Sequence, residues 1–372
     1  AHAGQCLAYF EETTEMSVHL ISAFDAMAKL NQFDAILDAR SEGEHAEDHL
    51  PGALSWPSLN NEERIRVGTL YKQVNPFEAQ KVGAALVAKN IARHIETHVM
   101  DKPRNWQPLV YCWRGGKRSN SLALILGQIG FKVHLIEGGY KAFRKEVMED
   151  TPRQAQRLQF QVLCGPTGSG KTRLLQALAQ EGAQVLDLEA IACHRSSVLG
   201  LIPGTPQPTQ KAFDTQVWDA LRGFSADRPV FVEAESKKVG NLTVPAELMV
   251  AMRASPCLRV DLSLDNRVNL LLEDYAFFTQ DRALFADRLE RLTALRGNAV
   301  VQGWQERIER GEMREVVTEL LSGHYDPGYE TSTGNNFVHY AKAPLIAPAS
   351  HSMADMLTLA HELVKVPTES GQ

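Results

Sequence analysis

The sequence predicts an α/β protein of two domains, each built on a parallel sheet, with a helical C-terminal region. Three observations carry this. Short apolar runs alternate with longer helical patterns in both halves of the chain, as strands joined by crossover helices do. A polar passage containing a proline, residues 146–156, interrupts the alternation. The length of 372 residues suits two such units, placed at 1–150 and 151–372, at about 150 residues per domain.

In the first half, residues 33–37, 108–111 and 132–136 read as short buried strands, and 119–128 as an apolar helix. Gly130 stands where a helix C-terminal glycine belongs. Residues 77–95 are the clearest part of a long helical stretch between Trp56 and Pro108. In the second half, strands are expected at 158–164, 183–188, 229–232 and 258–264, with helices at 171–180 and 266–278. Residues 281–321 look helical and carry charges of both signs, and 203–208 read as a surface loop.

The composition is that of an ordinary globular protein, 44% apolar and 23% charged. No run of 18 uninterrupted apolar residues suggests a membrane helix. The N-terminal residues lack the basic and apolar regions of a signal peptide. The five cysteines, Cys6, Cys112, Cys164, Cys193 and Cys257, are scattered and contain no C-x-x-C pair. That argues against a disulfide framework or structural zinc and for a reducing cytoplasm. A net charge of −6 does not advertise nucleic-acid binding, so any RNA contact needs a local basic face.

Gly165-Pro166-Thr167-Gly168-Ser169-Gly170-Lys171-Thr172 fits the P-loop pattern at every defined position, between an apolar strand and a helix. Its glycines let backbone N–H groups converge on phosphate oxygens, and the helix N-terminus adds a positive field. Lys171 supplies a point charge, and the Thr172 hydroxyl can ligate Mg²⁺. Glu233 and Glu235, just beyond a strand end, are candidates for the acid that completes such a site, and Asp187 and Glu189 compete for the role. Arg195 is a candidate contact to a second anionic group. There is no N-K-x-D element to read guanine.

Cys112-Trp113-Arg114-Gly115-Gly116-Lys117-Arg118-Ser119 follows an apolar strand and opens a helix. Such a loop wraps backbone N–H groups round one sulfur, and the helix N-terminus with Arg114, Lys117 and Arg118 favours negative charge there. A thiolate in this setting attacks soft electrophiles and can hold the product as a persulfide or perselenide. Cys164, within a strand, reads as core; Cys6 and Cys257 show no chemistry, and Cys193 lies near Asp187.

These residues carry a resemblance. Residues 33–40 (Phe-Asp-Ala-Ile-Leu-Asp-Ala-Arg), Glu44 and His49-Leu50-Pro51-Gly52-Ala53 look like the opening signature of rhodanese domains. Residues 136–143 (Ile-Glu-Gly-Gly-Tyr-Lys-Ala-Phe) look like their closing signature. Five residues separate Cys112 from Arg118, one more than in many sulfurtransferase loops and as many as in cysteine phosphatases of the same fold. The wider loop should admit a larger anion, such as selenophosphate or a phosphoester. A rhodanese-like sheet followed by a P-loop NTPase-like sheet resembles the tRNA 2-selenouridine synthase family over nearly the whole chain. The stretches 61–64, 67–72, 231–236 and 324–327, the Cys112 loop, and Asp187-Leu188-Glu189 with His194-Arg195 look specific to it.

That resemblance implies an enzyme acting on the wobble 2-thiouridine of tRNA, with no prosthetic group and with geranyl diphosphate and selenophosphate as co-substrates. The base sulfur is first geranylated and then replaced by selenium, with Lys171 gripping the diphosphate and Cys112 handling selenium. A selenophosphate-producing enzyme is a further implied partner. The arginines at 282, 288, 291, 296, 307, 310 and 314 form one candidate RNA face, although interleaved acids make a salt-bridged surface the better reading. The basic residues beside Cys112 form another. Two alternatives stay open: a P-loop ATPase or kinase with a regulatory rhodanese domain, and a rhodanese-fold cysteine phosphatase.

Overall fold

The structure is a computed structural model and describes residues 18–195, 200 and 202–365. Contacts divide it into two compact units that meet in sequence between Asp150 and Thr151.

The first unit is a five-stranded, all-parallel sheet. Its strands are β1 (Val18–Ile21), β2 (Ala35–Asp38), β3 (Ala53–Ser55), β4 (Pro108–Tyr111) and β5 (Val133–Ile136), in the order β1-β5-β4-β2-β3. The central strand β4 is buried at every residue, as an apolar run covered on both faces must be. Leu37, Val110, Leu122, Leu126 and Val133 form the core with Ile91 of the long helix Pro76–His98. The helix Lys117–Ile129 ends on Gly130 in a left-handed conformation, as the sequence indicated.

Beneath the sheet's C-terminal edge lies a buried polar network. Arg40, 1% exposed, pairs with Asp38 at 2.6 Å and donates to the Asp48 carbonyl at 2.6 Å. Tyr111 donates to Asp38 at 2.8 Å and Tyr140 to Asp48 at 2.7 Å. Burial alone would raise the Asp38 pKa, but hydrogen bonds from His45 and Arg40 and the Arg40 charge hold it below the usual carboxylate range. The rhodanese-like signature residues at 38, 40 and 140 are therefore structural, fixing the two segments that flank the Cys112 loop.

The second unit is also five-stranded and parallel. Its main strands are β6 (Phe160–Cys164), β7 (Gln184–Leu186) and β8 (Val230–Glu233). A two-residue hairpin, β9 (Lys238–Val239) with β10 (Leu242–Thr243), stands apart from the sheet, which β11 (Cys257–Val260) and β12 (Leu345–Ile346) complete in the order β12-β11-β6-β8-β7. Helices between 264 and 336 form an apolar core of their own around Phe278, Phe285, Leu289, Trp304 and Leu320. The expected continuous helicity of 281–321 is met in separate segments, among them Arg282–Leu289, Asn298–Glu309 and Met313–Leu320.

Three expectations are corrected. Residues 146–156 are not an irregular passage; they lie inside the helix Gly139–Arg157, with Pro152 within it. The Glu, Gln and Arg side chains that make much of the stretch polar are good helix formers, and this outweighs the proline. The strand expected at 258–264 stops at Val260, because Ser263 caps a helix, Leu264–Asp274. Strands β1, β3, β9, β10 and β12 were not anticipated; each has two to four residues, too few to show a period. Among the described residues no helix is long and apolar enough to cross a membrane.

Candidate active sites

The Cys112 loop leaves the C-terminal end of β4, the middle strand of its sheet. The Cys112 residue is 3% exposed, with core apolar groups on one side. On the other side, Gly116 N–H donates to Sγ at 3.2 Å and the buried Ser119 hydroxyl at 3.0 Å. A partial negative charge on sulfur therefore has two donors fixed by the helix start. The closing signature holds the loop in shape: Tyr140 N–H donates to the Cys112 carbonyl at 2.8 Å and Lys141 N–H to that of Trp113 at 3.1 Å. Trp113 stacks on Tyr140, ring centroids 5.4 Å apart.

The three cations are not equivalent. Arg118 places both terminal nitrogens on Glu44, at 2.7 and 3.3 Å. Burial pushes the Glu44 pKa up, and Arg118 pulls it further down, so the carboxylate is charged. Arg118 thus shapes the loop wall, while Arg114 and Lys117 are exposed. Cys6 lies outside the described residues. Cys164 is core, its thiol pushed up by its hydrogen bond with Cys257 and by burial.

Gly139 makes the loop's close approach possible. Its φ is +58°, and a Cβ there would lie 2.2 Å from the Cys112 carbonyl oxygen. Gly139→Ala should therefore cost at least about 1–3 kcal/mol from the backbone conformation alone, with the clash added. Calorimetry should show the unfolding transition of the first unit lowered; an unchanged transition would mean that the loop is not held as described.

The P-loop leaves β6, and its helix, Lys171–Gln180, starts from Gly170 with φ +87°. Lys171 Nζ lies 2.7 Å from the Gly165 carbonyl, inside the loop. The loop is braced by residues without a sequence motif. Gly165 N–H donates to the Tyr329 hydroxyl at 2.6 Å, and Arg267 donates to the Thr167 carbonyl at 2.7 Å while pairing with Asp326 at 2.6 Å. Asp326 opens the helix Asp326–Asn336, directly after a single wide π-turn, Leu321–Tyr325. Of these braces only Asp326 fell within a stretch that the sequence had marked.

A cavity of about 720 Å³ opens over the loop, lined by Thr167, Lys171, Thr172, Asp187, Glu233 and Glu235 among others. It also takes in Glu189, Cys193 and Arg195. Arg195 lies over the Tyr275 ring at 4.5 Å and donates to the Asp274 carbonyl at 2.8 Å. The carboxylate oxygens of Glu189, Glu233 and Glu235 lie within 4.8 Å of one another. Asp187, by contrast, caps a short helix through Ala190 N–H. Glu233 Oε1 is buried with no hydrogen-bond partner among the described residues. An oxygen-only cluster with one orphaned oxygen fits a hard divalent cation such as Mg²⁺.

Burial, then the charge of Glu189, pushes the Glu233 pKa up to about 8 against the pull of Lys171 and Thr172, and Asp187 adds to the rise. The sign follows from linkage. Above about 4.5 the unfolded chain ionises this group while the folded one keeps its proton, so the stability that the neutral form contributes is lost as pH rises towards 8. Glu233→Gln should remove that slope. Relative to the parent, the variant's melting temperature should rise between pH 5 and pH 8; a constant difference would contradict the raised pKa.

The arginine-rich helical surface is largely self-paired. Arg307 bonds Glu312 and Glu319, Arg310 bonds Glu312, Arg314 bonds Asp265, and Arg296 bonds His324 and the Gly323 carbonyl. It offers fewer free cations than its composition suggests, whereas Arg114 and Lys117 stand exposed at the Cys112 loop.

Comparison with known proteins agrees with this arrangement. Residues 22–146 match the rhodanese-like domain family, and residues 158–287 match the family described as the tRNA 2-selenouridine synthase AAA domain. The tRNA 2-selenouridine synthase of Alcanivorax borkumensis is 32% identical over 327 residues, covering 79% of this chain and 88% of that protein. That of Cronobacter sakazakii is 35% identical over 341 residues, covering 82% and 88%. That of Marinobacter nauticus is 33% identical over 325 residues, covering 79% and 87%. With both loops intact and such likeness running through both units, the chain belongs to the tRNA 2-selenouridine synthase family.

Proposed function

We propose that the protein is a transferase that replaces sulfur by selenium in the wobble 2-thiouridine of tRNA, with the two loops serving two successive steps. In the first, the sulfur attacks the allylic carbon of geranyl diphosphate. A C–S bond forms, the C–O bond to pyrophosphate breaks, and the base gives up its N3 proton. In the second, the geranylated sulfur is expelled from C2 of the base as a thiol, the selenium of selenophosphate bonds to that carbon, and water cleaves the Se–P bond to release phosphate. The order is chemically sensible, because a thiocarbonyl sulfur leaves poorly and an alkylated one leaves well.

The observation that carries the reading is the pairing, in one chain, of a sulfur held by Gly116 N–H and Ser119 with a braced P-loop. Lys171 and the loop amides stabilise the charge that develops on departing pyrophosphate. Bound Mg²⁺, which Glu189, Glu233 and Glu235 with Thr172 would hold, would supply further charge neutralisation there. Cys112 Sγ attacks C2 of the S-geranyl base and expels the geranylthiol, the selenium donor then displaces Cys112 from that carbon, and Arg114 and Lys117 attract the donor and the tRNA backbone.

The phosphatase alternative would need Arg118 to grip a phosphoester, and its guanidinium is already spread across Glu44. The ATPase alternative is separated by measuring ATP hydrolysis without tRNA, expected to be negligible. The direct test is mass spectrometry of wobble uridines after incubating tRNA with the protein, geranyl diphosphate and selenophosphate. Selenouridine is expected only with both small molecules present; its absence under these conditions would refute the reading.

A further inference from the structure

The 720 Å³ cavity is not the only space at the P-loop. A second, apolar pocket of about 50 Å³ opens beside it, inside the helical region. The two share Thr167 of the P-loop, Leu271, Tyr275 and Tyr325 as lining. Beyond that common wall the small pocket is bounded by Phe278, Phe285, Met313, Val317 and Leu320, with no charged residue in its lining. Tyr275 is held in place by Arg195 over its ring. Tyr325 lies in the π-turn that leads to Asp326, the P-loop's brace through Arg267.

An anion cradle sharing a wall with an apolar pocket suits a ligand with a diphosphate at one end and hydrocarbon at the other. A nucleotide's ribose and base would bring unsatisfied polar groups to the same wall. We infer that this pocket receives the end of the hydrocarbon tail of the P-loop ligand and sets the tail's length. The inference rests on the prenyl diphosphate reading given above and deepens it. An apolar cavity of about 150 Å³ holds a benzene-sized guest, so a space of about 50 Å³ takes only a branched chain end. The carbons nearer the diphosphate then run along Leu271, Tyr275 and Tyr325. A chain longer by one isoprene unit meets Phe278, Phe285 and Met313, which lie off the shared wall.

The test uses the full-length protein and calorimetric titration with geranyl diphosphate, farnesyl diphosphate, inorganic pyrophosphate and ATP. The parent should bind geranyl diphosphate about 100-fold more tightly than pyrophosphate, the gain expected from burying several methylene-sized groups. Val317→Phe, which fills the pocket, should cut that advantage at least about tenfold and leave pyrophosphate affinity unchanged. Met313→Ala, which lengthens the pocket, should improve farnesyl diphosphate relative to geranyl diphosphate by about tenfold. If Val317→Phe also loses pyrophosphate binding, it has misfolded and Met313→Ala decides. An undiminished tail advantage in a folded Val317→Phe protein, or no change in chain-length preference in Met313→Ala, overturns the pocket assignment while leaving the prenyl diphosphate reading in place. A parent that prefers ATP and gains nothing from the hydrocarbon tail overturns both.

Discussion

Lys171→Ala is expected to abolish geranylation of tRNA, by at least about 10²–10³-fold, while selenation of tRNA that already carries the geranyl group continues. The ammonium sits within the P-loop, 2.7 Å from the Gly165 carbonyl, on the wall of the 720 Å³ cavity. It is the one cation that the loop itself supplies, and in the proposed reaction the charge it stabilises grows as the C–O bond to pyrophosphate breaks. Its loss therefore falls on the rate of the first step. The fold should survive, because the hydrogen bonds from Tyr329 and Arg267 hold backbone groups of the loop and remain when the ammonium, 5.6 Å over the Tyr329 ring, is removed. Supplying geranylated tRNA to the variant isolates the second step. Equal loss of both steps would contradict the division of labour between the loops.

Cys112→Ser should show the mirror image. Selenation should fall by more than about a thousandfold, as when a nucleophile is removed, and geranylated tRNA should accumulate. Serine keeps the size of the side chain, and its oxygen can still accept from Gly116 N–H and the Ser119 hydroxyl, so the loop should keep its shape. What disappears is a soft, polarisable nucleophile that both attacks a carbon and leaves it readily. Full selenium incorporation by the variant would remove Cys112 from the mechanism.

The two loops were legible in the sequence because each compresses its chemistry into eight consecutive residues whose spacing is imposed by backbone geometry. The flanking strands β4 and β6 were legible as well, being apolar runs with no competing period. What supports the loops was not. Tyr329 and Arg267 reach the P-loop from 164 and 100 residues away, and nothing in their local sequence points there. Arg118 read as part of an anion nest, and only the folded chain shows Glu44, 74 residues distant, holding it. The four acids near the P-loop were indistinguishable as sequence. Folding separates them, placing Glu189, Glu233 and Glu235 together and using Asp187 as a helix cap. The apolar pocket escaped for the same reason, since its residues come from several helices whose individual patterns say only that each has a buried face.

Passage of a tRNA base through an alkylated intermediate on one chain is visible in a time course. Thiolated tRNA, geranyl diphosphate and selenophosphate are mixed with the protein and quenched at intervals, and the wobble nucleoside is followed by mass spectrometry. S-geranyl-2-thiouridine should rise first and then decay into selenouridine at a matching rate. Selenouridine formed just as fast with geranyl diphosphate left out would contradict it.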